Sequence, residues 1–377
     1  MSHYFTMDTS HKIFFKNSSN LSDIPPQSIN LIVTSPPYPM IKMWDDLFSE
    51  LNPEISIYLD KEEGNTAFHL MHLELEKVWS QFNDVLCNGG VVCINIGDAT
   101  RKIGQSFQLF PNHSYIINYF EKNGFEVLPP IIWRKQTNKP NKFMGSGMYP
   151  PNAYVTLEHE YILIFRKKGN RIYSNDEKIK RKQSAYFWEE RNIWFSDIWF
   201  DLKGTPQKTN FSKIRDRSGA FPFELAYRLI NMYSIQGDWV LDPFFGTGTT
   251  SLAAMISMRN SIGYEIDKDF KNAFESNLEN FQAYSKLYVN ERINKHRVFI
   301  SQREKNNKTI NYTSKYYKFK IITRQETDIF FPTVNYIHKI RENEYIVEYD
   351  EIQNNSLILP SFSIQKSGVF RITNGNP

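Results

Sequence analysis

An apolar run, Ile29-Asn30-Leu31-Ile32-Val33, leads straight into Thr34-Ser35-Pro36-Pro37-Tyr38. No other stretch restricts the fold as tightly. The run has the length and make-up of a short buried strand. Paired prolines lack N–H donors and fix φ, so the strand must end there in a stiff turn with carbonyls left unpaired. Ser35 adds a hydroxyl and Tyr38 a flat ring. Acceptors beside an aromatic face suit the gripping of a planar base with an exocyclic amino group. The plainer alternative is a proline turn that caps a core strand.

The second informative stretch is Asp242-Pro243-Phe244-Phe245-Gly246-Thr247-Gly248-Thr249-Thr250. A strand is expected over 237–242 before it and a helix over 249–258 after it. Glycines in a strand-to-helix turn let the backbone approach a ligand, and the helix start offers free N–H groups. The next strand, 261–265, ends in Glu265, whose carboxylate can accept both hydroxyls of a ribose. A dinucleotide-binding turn has the same outline. Two features argue against it. Phe244 and Phe245 are bulky where a pyrophosphate turn needs small residues, and Asp242 puts negative charge where a phosphate would lie. A cationic ligand fits better, and S-adenosylmethionine carries an ammonium, a sulfonium and ribose hydroxyls.

Elsewhere the periodicities alternate between helix and strand. Residues 67–86 have helical spacing, with Asn88-Gly89-Gly90 as the stop. A strand is expected at 91–96, ending in Gly97-Asp98, where open parallel sheets hold ligands. A helix over 107–123, strands over 125–134 and 154–165, and helices over 221–232 and 267–281 complete the set, with Pro222 near the first turn of its helix. Residues 39–66 read as irregular, and Met40, Ile41, Met43 and Trp44 there either wall a pocket or pack under a loop. Residues 136–153 look like a long loop. His69 and His72 stand one turn apart without a third ligand, and read as partly exposed helix histidines. Glu158-His159-Glu160 reads as a strand edge rather than a catalytic cluster.

At 377 residues the chain can bury a large core. Two cysteines, Cys87 and Cys93, build neither a disulfide framework nor a thiolate metal site, which suits a reducing cytoplasm. No basic-then-apolar start and no run of bilayer-spanning length is present. Net charge is +4, but residues 166–217 hold fourteen Lys/Arg against seven Asp/Glu, and residues 286–377 hold fifteen against nine. The remainder is therefore net acidic. Cationic segments outside the regular α/β parts suit a polyanion, or are solvated surfaces. In 166–217, Lys178, Lys180, Arg181, Lys182, Arg215 and Arg217 are mixed with Tyr186, Phe187, Trp188, Trp194 and Trp199. That mixture fits nucleic-acid contact or a small separate core.

Taken together, these stretches resemble the amino-group DNA methyltransferases. The Ser35-Pro36-Pro37-Tyr38 turn matches that family's catalytic motif, and residues 242–250 match its cofactor loop. Phe221-Pro222-Phe223-Glu224-Leu225 looks like the helix that closes the cofactor site, and residues 158–167 look like a late strand of the sheet. The match covers roughly residues 10–165 and 217–282. The catalytic motif precedes the cofactor loop, which is the permuted order of the group called beta. The resemblance implies an α/β, Rossmann-like sheet with that permuted order. It implies a catalytic half at 1–165, a basic target-recognition insert at 166–217 and a cofactor-binding half at 218–282. The extension at 283–377 departs from the compact pattern and is a further candidate for DNA recognition.

By the same resemblance, Ser35, Pro36, Pro37 and Tyr38 are catalytic, and Asp98, an acid at a strand end, joins that set. Phe221, Pro222, Asp242, Phe244, Gly246, Gly248, Thr249 and Glu265 bind S-adenosylmethionine, and no metal is called for. Ser35 Oγ and the Pro36 carbonyl would accept hydrogen bonds from the target amine, and Tyr38 would stack on an extruded base. Asp98 would take the released proton or orient Ser35, its plain alternative being a strand-end cap. Neither cysteine follows a proline, which disfavours a C5-cytosine enzyme. Family members with Ser before Pro-Pro-Tyr mostly modify N4 of cytosine. The expected partners are double-stranded DNA and a restriction endonuclease. The alternatives are N6-adenine methylation of DNA, methylation of RNA or a protein amide, a non-catalytic DNA-binding relative and a nicotinamide dehydrogenase.

Overall fold

The computed structural model describes residues 8–135, 144–145, 147–202 and 221–350. Its centre is a ten-stranded sheet. From one edge to the other run Ile198–Trp199, Glu126–Arg134, His159–Arg166, Leu86–Ile96, Ile29–Thr34, Trp239–Asp242, Asn260–Tyr264, Asp8–Phe14, Glu344–Asp350 and Thr333–Arg341. The five from Leu86–Ile96 to Asp8–Phe14 are mutually parallel. His159–Arg166 runs against both of its neighbours. Leu31, Ile32, Val92, Cys93, Ile94, Val240 and Leu241 have no exposed surface. Parallel strands covered on both faces read as unbroken apolar runs, which is why these segments are legible in the sequence.

Helices Gly64–Trp79 and Asn112–Lys122 cover one face, packing Met71, Leu75, Ile116 and Phe120 against Ile32, Val92 and Ile94. Helices Phe223–Tyr233, Thr249–Ile256 and Phe281–Lys305 cover the other. Leu31 lies opposite Val240 and Ile32 opposite Leu241. From this central pair the chain winds outward in opposite directions, which opens a crevice at the carboxyl ends of the two strands.

Several expectations need correction. The helix expected over 67–86 is Gly64–Trp79 plus a short turn, Phe82–Val85, and a strand already begins at Leu86. Asn88-Gly89-Gly90 is not a helix stop. Gly89 has φ +74°, and the ladder shifts register between Ile29 and Leu31, so these residues form an irregularity inside the Leu86–Ile96 strand. The expected helix 107–123 starts only at Asn112, because Ser106–Phe110 pairs in a hairpin with Ala99–Ile103. Residues 39–66 are not irregular throughout: Asp45–Leu51 and Glu54–Asp60 are helices. His72 is buried and bonded to Asn112 at 3.0 Å, whereas His69 is exposed. Part of the loop expected at 136–153 lies outside the described residues.

The C-terminal extension is continuous with the main body as far as residue 350. Thr333–Arg341 and Glu344–Asp350 form a hairpin that extends the sheet beside Asp8–Phe14. Tyr349 OH meets Thr9 Oγ1 at 2.8 Å, and Val334, Tyr345 and Val347 join the main core. Helix Phe281–Lys305 is held by Arg292, whose guanidinium makes bonds of 2.6 and 2.7 Å to Glu190 and 2.6 Å to Tyr227 OH. Trp194 and Trp199 also belong to the main core rather than to a separate one. Residues 351–377 lie outside the described residues. Among the described residues no helix is long and apolar enough to cross a membrane, and no group of His, Cys, Asp or Glu is placed to hold a metal.

Candidate active site

Both singled-out turns leave the carboxyl ends of neighbouring parallel strands. They are tied together: Thr34 Oγ1 donates to Asp242 Oδ1 at 2.7 Å, and Thr250 Oγ1 reaches the Val33 carbonyl at 3.3 Å. Between them lies a cavity of about 570 Å³, within the usual range of about 300–1,000 Å³ for small-molecule sites. Ser35, Pro36, Pro37 and Tyr38 line it beside one turn, Asp242, Phe244, Gly246, Thr249 and Glu265 beside the other, and Phe221 lines it as well. Ile41, Met43 and Trp44 wall it as well, whereas Met40 is buried in the core.

At the glycine end the turn is shaped by its two glycines, with φ +52° at Gly246 and +82° at Gly248. Gly248 does not line the cavity. It is the residue before helix Thr249–Ile256, and a Cβ there would stand 2.3 Å from the Phe274 ring. Pro222 likewise stays outside the lining and starts helix Phe223–Tyr233. Glu265 accepts from Gly246 N at 2.8 Å and from Asp267 N at 2.9 Å. Its pKa is raised by burial, which these backbone donors partly offset. Asp242 is buried, and desolvation lifts its pKa to about 7 against the pull of Thr34, Thr250 and the Phe244 N–H. Two carboxylates held in a partly apolar hollow with few cations nearby are matched to a ligand that brings its own positive charge. The donor set therefore fits S-adenosylmethionine.

At the proline end, Tyr38 OH sits at a junction. It accepts from Ser35 Oγ at 3.1 Å and from Asn95 Nδ2 at 2.7 Å, and donates to Glu160 Oε2 at 3.0 Å. Asn95 Nδ2 also donates to Glu160 Oε2 at 2.8 Å, and Lys135 Nζ meets Glu160 Oε1 at 2.7 Å. Burial, with the adjacent Glu160 charge, pushes the Tyr38 phenol well above its ordinary value, so it stays protonated. Gly97 leaves room for the ring: a Cβ there would lie 3.1 Å from Tyr38 Cε2.

Asp98 is not brought to this junction. Its two oxygens meet His113 Nδ1 at 2.9 and 2.7 Å, and one accepts His113 N at 3.1 Å, at the start of helix Asn112–Lys122. A strand-end cap is thus its observed position. Glu160, which reads from the sequence as part of a strand edge with His159, does line the cavity, as does Lys135, which carries no sequence signal that marks it as a site residue. The basic stretch Lys178–Lys182 is also displaced from expectation. Arg171 pairs with Asp238, and Ser184 Oγ accepts from Gln236 N, just ahead of strand Trp239–Asp242. Helix Asn175–Gln183 between them therefore sits at the amino-terminal edge of the sheet, opposite the cavity. Phe187 is buried against His296 at a centroid distance of 3.8 Å, so part of the aromatic content is structural. Arg215 and Arg217 lie outside the described residues.

Comparison with known proteins adds an independent line. A family model described as DNA methylase matches residues 29–276. The type II methyltransferase M.MthZI of Methanothermobacter thermautotrophicus is 58% identical over 348 residues, covering 92% of this chain and 97% of that one. M.MjaI of Methanocaldococcus jannaschii is 52% identical over 281 residues, covering 72% and 91%. Among solved structures, a Thermus thermophilus protein assigned as a DNA modification methylase, in complex with S-adenosyl-L-methionine, is similar at 30% identity. Its TM-score is 0.56, over 72% of this chain and 94% of that one.

Proposed function

The chain belongs to this DNA methylase family and is an S-adenosylmethionine-dependent DNA methyltransferase, and from that premise we propose that its target is the exocyclic N4 amine of a cytosine turned out of duplex DNA. The observation that carries the proposal is the state of Ser35. Its hydroxyl proton is directed to Tyr38, which leaves the oxygen's lone pairs for a donor in the cavity it lines. An amine conjugated to a ring is a weak nucleophile, and acceptors on its two hydrogens favour the positive charge that develops as the new bond forms. Ser35 Oγ supplies one acceptor and the Pro36 carbonyl the other. The Tyr38 ring supplies a stacking face, which only an extruded base can use.

When bound, S-adenosylmethionine supplies an electrophilic methyl on a cationic sulfur. Asp242 would hold its cationic amino-acid part and Glu265 its ribose hydroxyls, and Phe221 and Phe244 would supply apolar walls that exclude water. No covalent nucleophile is required, in keeping with Cys93 being buried and Cys87 lying on the far end of its strand. The preference for cytosine over adenine follows from Ser, rather than Asp or Asn, at position 35. The proposal includes a protective role opposite a restriction endonuclease that cuts the same DNA word. Labelling DNA with methyl-tritiated cofactor and separating the nucleosides tests it. N4-methylcytosine is expected. Label in N6-methyladenine would replace the cytosine assignment, and label only in RNA or protein would overturn the site reading altogether.

A further inference from the structure

We infer that Glu160 is the terminal acceptor for the proton released by the methylated amine, reached through Ser35 and Tyr38 as a two-hydroxyl relay. The inference rests on the amine-methylation reading above, whichever base carries the amine. Its basis is the direction of the hydrogens. A tyrosine hydroxyl has one proton and two lone pairs. At Tyr38 both lone pairs are occupied, by Ser35 Oγ–H at 3.1 Å and Asn95 Nδ2–H at 2.7 Å. The one proton must therefore point to Glu160 Oε2, 3.0 Å away. Asn95 fixes this polarity, because the same amide also donates to Glu160 Oε2. Every hydrogen thus points from the cavity toward the carboxylate.

The balance closes. The amine lone pair forms the carbon–nitrogen bond, and the carbon–sulfur bonding pair leaves with sulfur. One amine proton passes to Ser35 Oγ, the Ser35 proton to Tyr38 oxygen, and the Tyr38 proton to Glu160 Oε2. A sulfonium and a carboxylate become a thioether and a carboxylic acid, and the half-exposed Lys135 ammonium, no longer paired, is left to solvent. Lys135, half-exposed and 2.7 Å from Glu160 Oε1, is the charged group beside the acceptor and marks its way out to solvent. Asp98, the other nearby acid, is occupied by His113 and has no contact with Ser35 among the described residues.

Glu160 acts through its neighbours, so it is a positioning and proton-accepting residue, and its test needs more than lost activity. Glu160→Gln keeps an oxygen for Tyr38 but cannot take a proton, and Tyr38→Phe keeps the ring but removes the bridge. In single-turnover methylation at saturating cofactor and DNA, each should lose about 100-fold or more, as expected for a lost general base. The double variant should lose no more than either single one, because both interrupt one chain. Cofactor and DNA dissociation constants should stay within about threefold of the parent, by the same criterion. Neutron diffraction on the cofactor-free protein provides the second readout: density for the Ser35 hydrogen toward Tyr38, and for the Tyr38 hydrogen toward Glu160. The relay is overturned if Tyr38→Phe turns over at the parental rate, if the losses add, or if the hydrogens run the other way. A parental proton path with label found on adenine would leave the relay standing and remove only the cytosine assignment.

Discussion

Asp242 couples cofactor binding to pH in a way that can be worked out from its surroundings. Without ligand its pKa lies at about 7, mainly because burial penalises the charged form. A cationic ligand beside it requires the ionised form and holds it there. The apparent dissociation constant then scales as one plus the ratio of protonated to ionised Asp242. That factor is about 1.1 at about pH 8, about 2 at pH 7 and about 11 at pH 6, so affinity should fall about tenfold, or about 1.4 kcal/mol, across two pH units. Titration calorimetry in two buffers of different ionisation enthalpy reads the same event as proton release, close to about 0.9 proton per ligand at about pH 6 and about 0.1 at pH 8. Asp242→Asn should bind weakly with neither dependence. The free protein carries the opposite sign. A carboxyl whose folded pKa is raised from 3.8 to about 7 contributes stability below that window, and the contribution is lost as pH rises through it. Asp242→Asn should therefore melt no lower than the parent above pH 7 while binding less cofactor. A parent protein that binds equally well at both pH values without releasing protons, or an Asn variant with an unchanged pH profile, would refute the assignment.

Ser35→Ala and Tyr38→Ala should both keep cofactor affinity by calorimetry and lose most methyl transfer; full activity in Tyr38→Ala would remove the stacking role. Gly263→Ala should displace Phe245, since the new Cβ would fall 2.1 Å from Phe245 Cδ2. A loss of about 1–3 kcal/mol in urea unfolding is expected, together with weaker cofactor binding; unchanged values for both would show that the ring is not wedged there. His11 and His72 are both buried, with desolvation driving their pKa values to about 3 from 6.5. A depressed value means stability present above the unfolded pKa and lost as pH falls, by up to about 2 kcal/mol for each histidine at about pH 5. Stability curves for His11→Asn should show a shallower acid slope than the parent, and identical slopes would disprove the contribution.

The parallel strands and the two turns are readable because each carries its constraint locally. Ile29–Thr34 and Trp239–Asp242 are mostly apolar because both faces of the sheet are covered, and prolines and glycines announce where each stops. Leu86–Ile96 reads short because its start is irregular at Gly89. Glu160 reads as a strand-edge acid rather than a site residue for a topological reason. An acid at the start of a strand belongs at the far edge of a parallel sheet, but His159–Arg166 is reversed, which brings its first residues to the cavity edge. Nothing in eight residues of sequence declares their direction. The choice between the two readings of Asp98 is not legible because its partner, His113, sits beyond a hairpin that the apolar pattern of 107–123 conceals. In the C-terminal hairpin, Glu344–Asp350 alternates half-buried and buried positions but Thr333–Arg341 is largely exposed, and a two-residue turn without Gly leaves the pair unmarked.

The first strand of the chain, Asp8–Phe14, is wedged between Asn260–Tyr264 and Glu344–Asp350, while Ile29–Thr34 waits for Trp239–Asp242. Early and late segments are thus laced together like the halves of a zip. During synthesis, the opening strands have no sheet neighbours on that side until more than two hundred further residues have left the ribosome. Assembly is correspondingly non-local and slow. A truncated product would present bare strand edges rather than a half-active enzyme. Two separately expressed pieces, cut between residues 202 and 221, would each be incomplete and would recover a working centre only by re-joining.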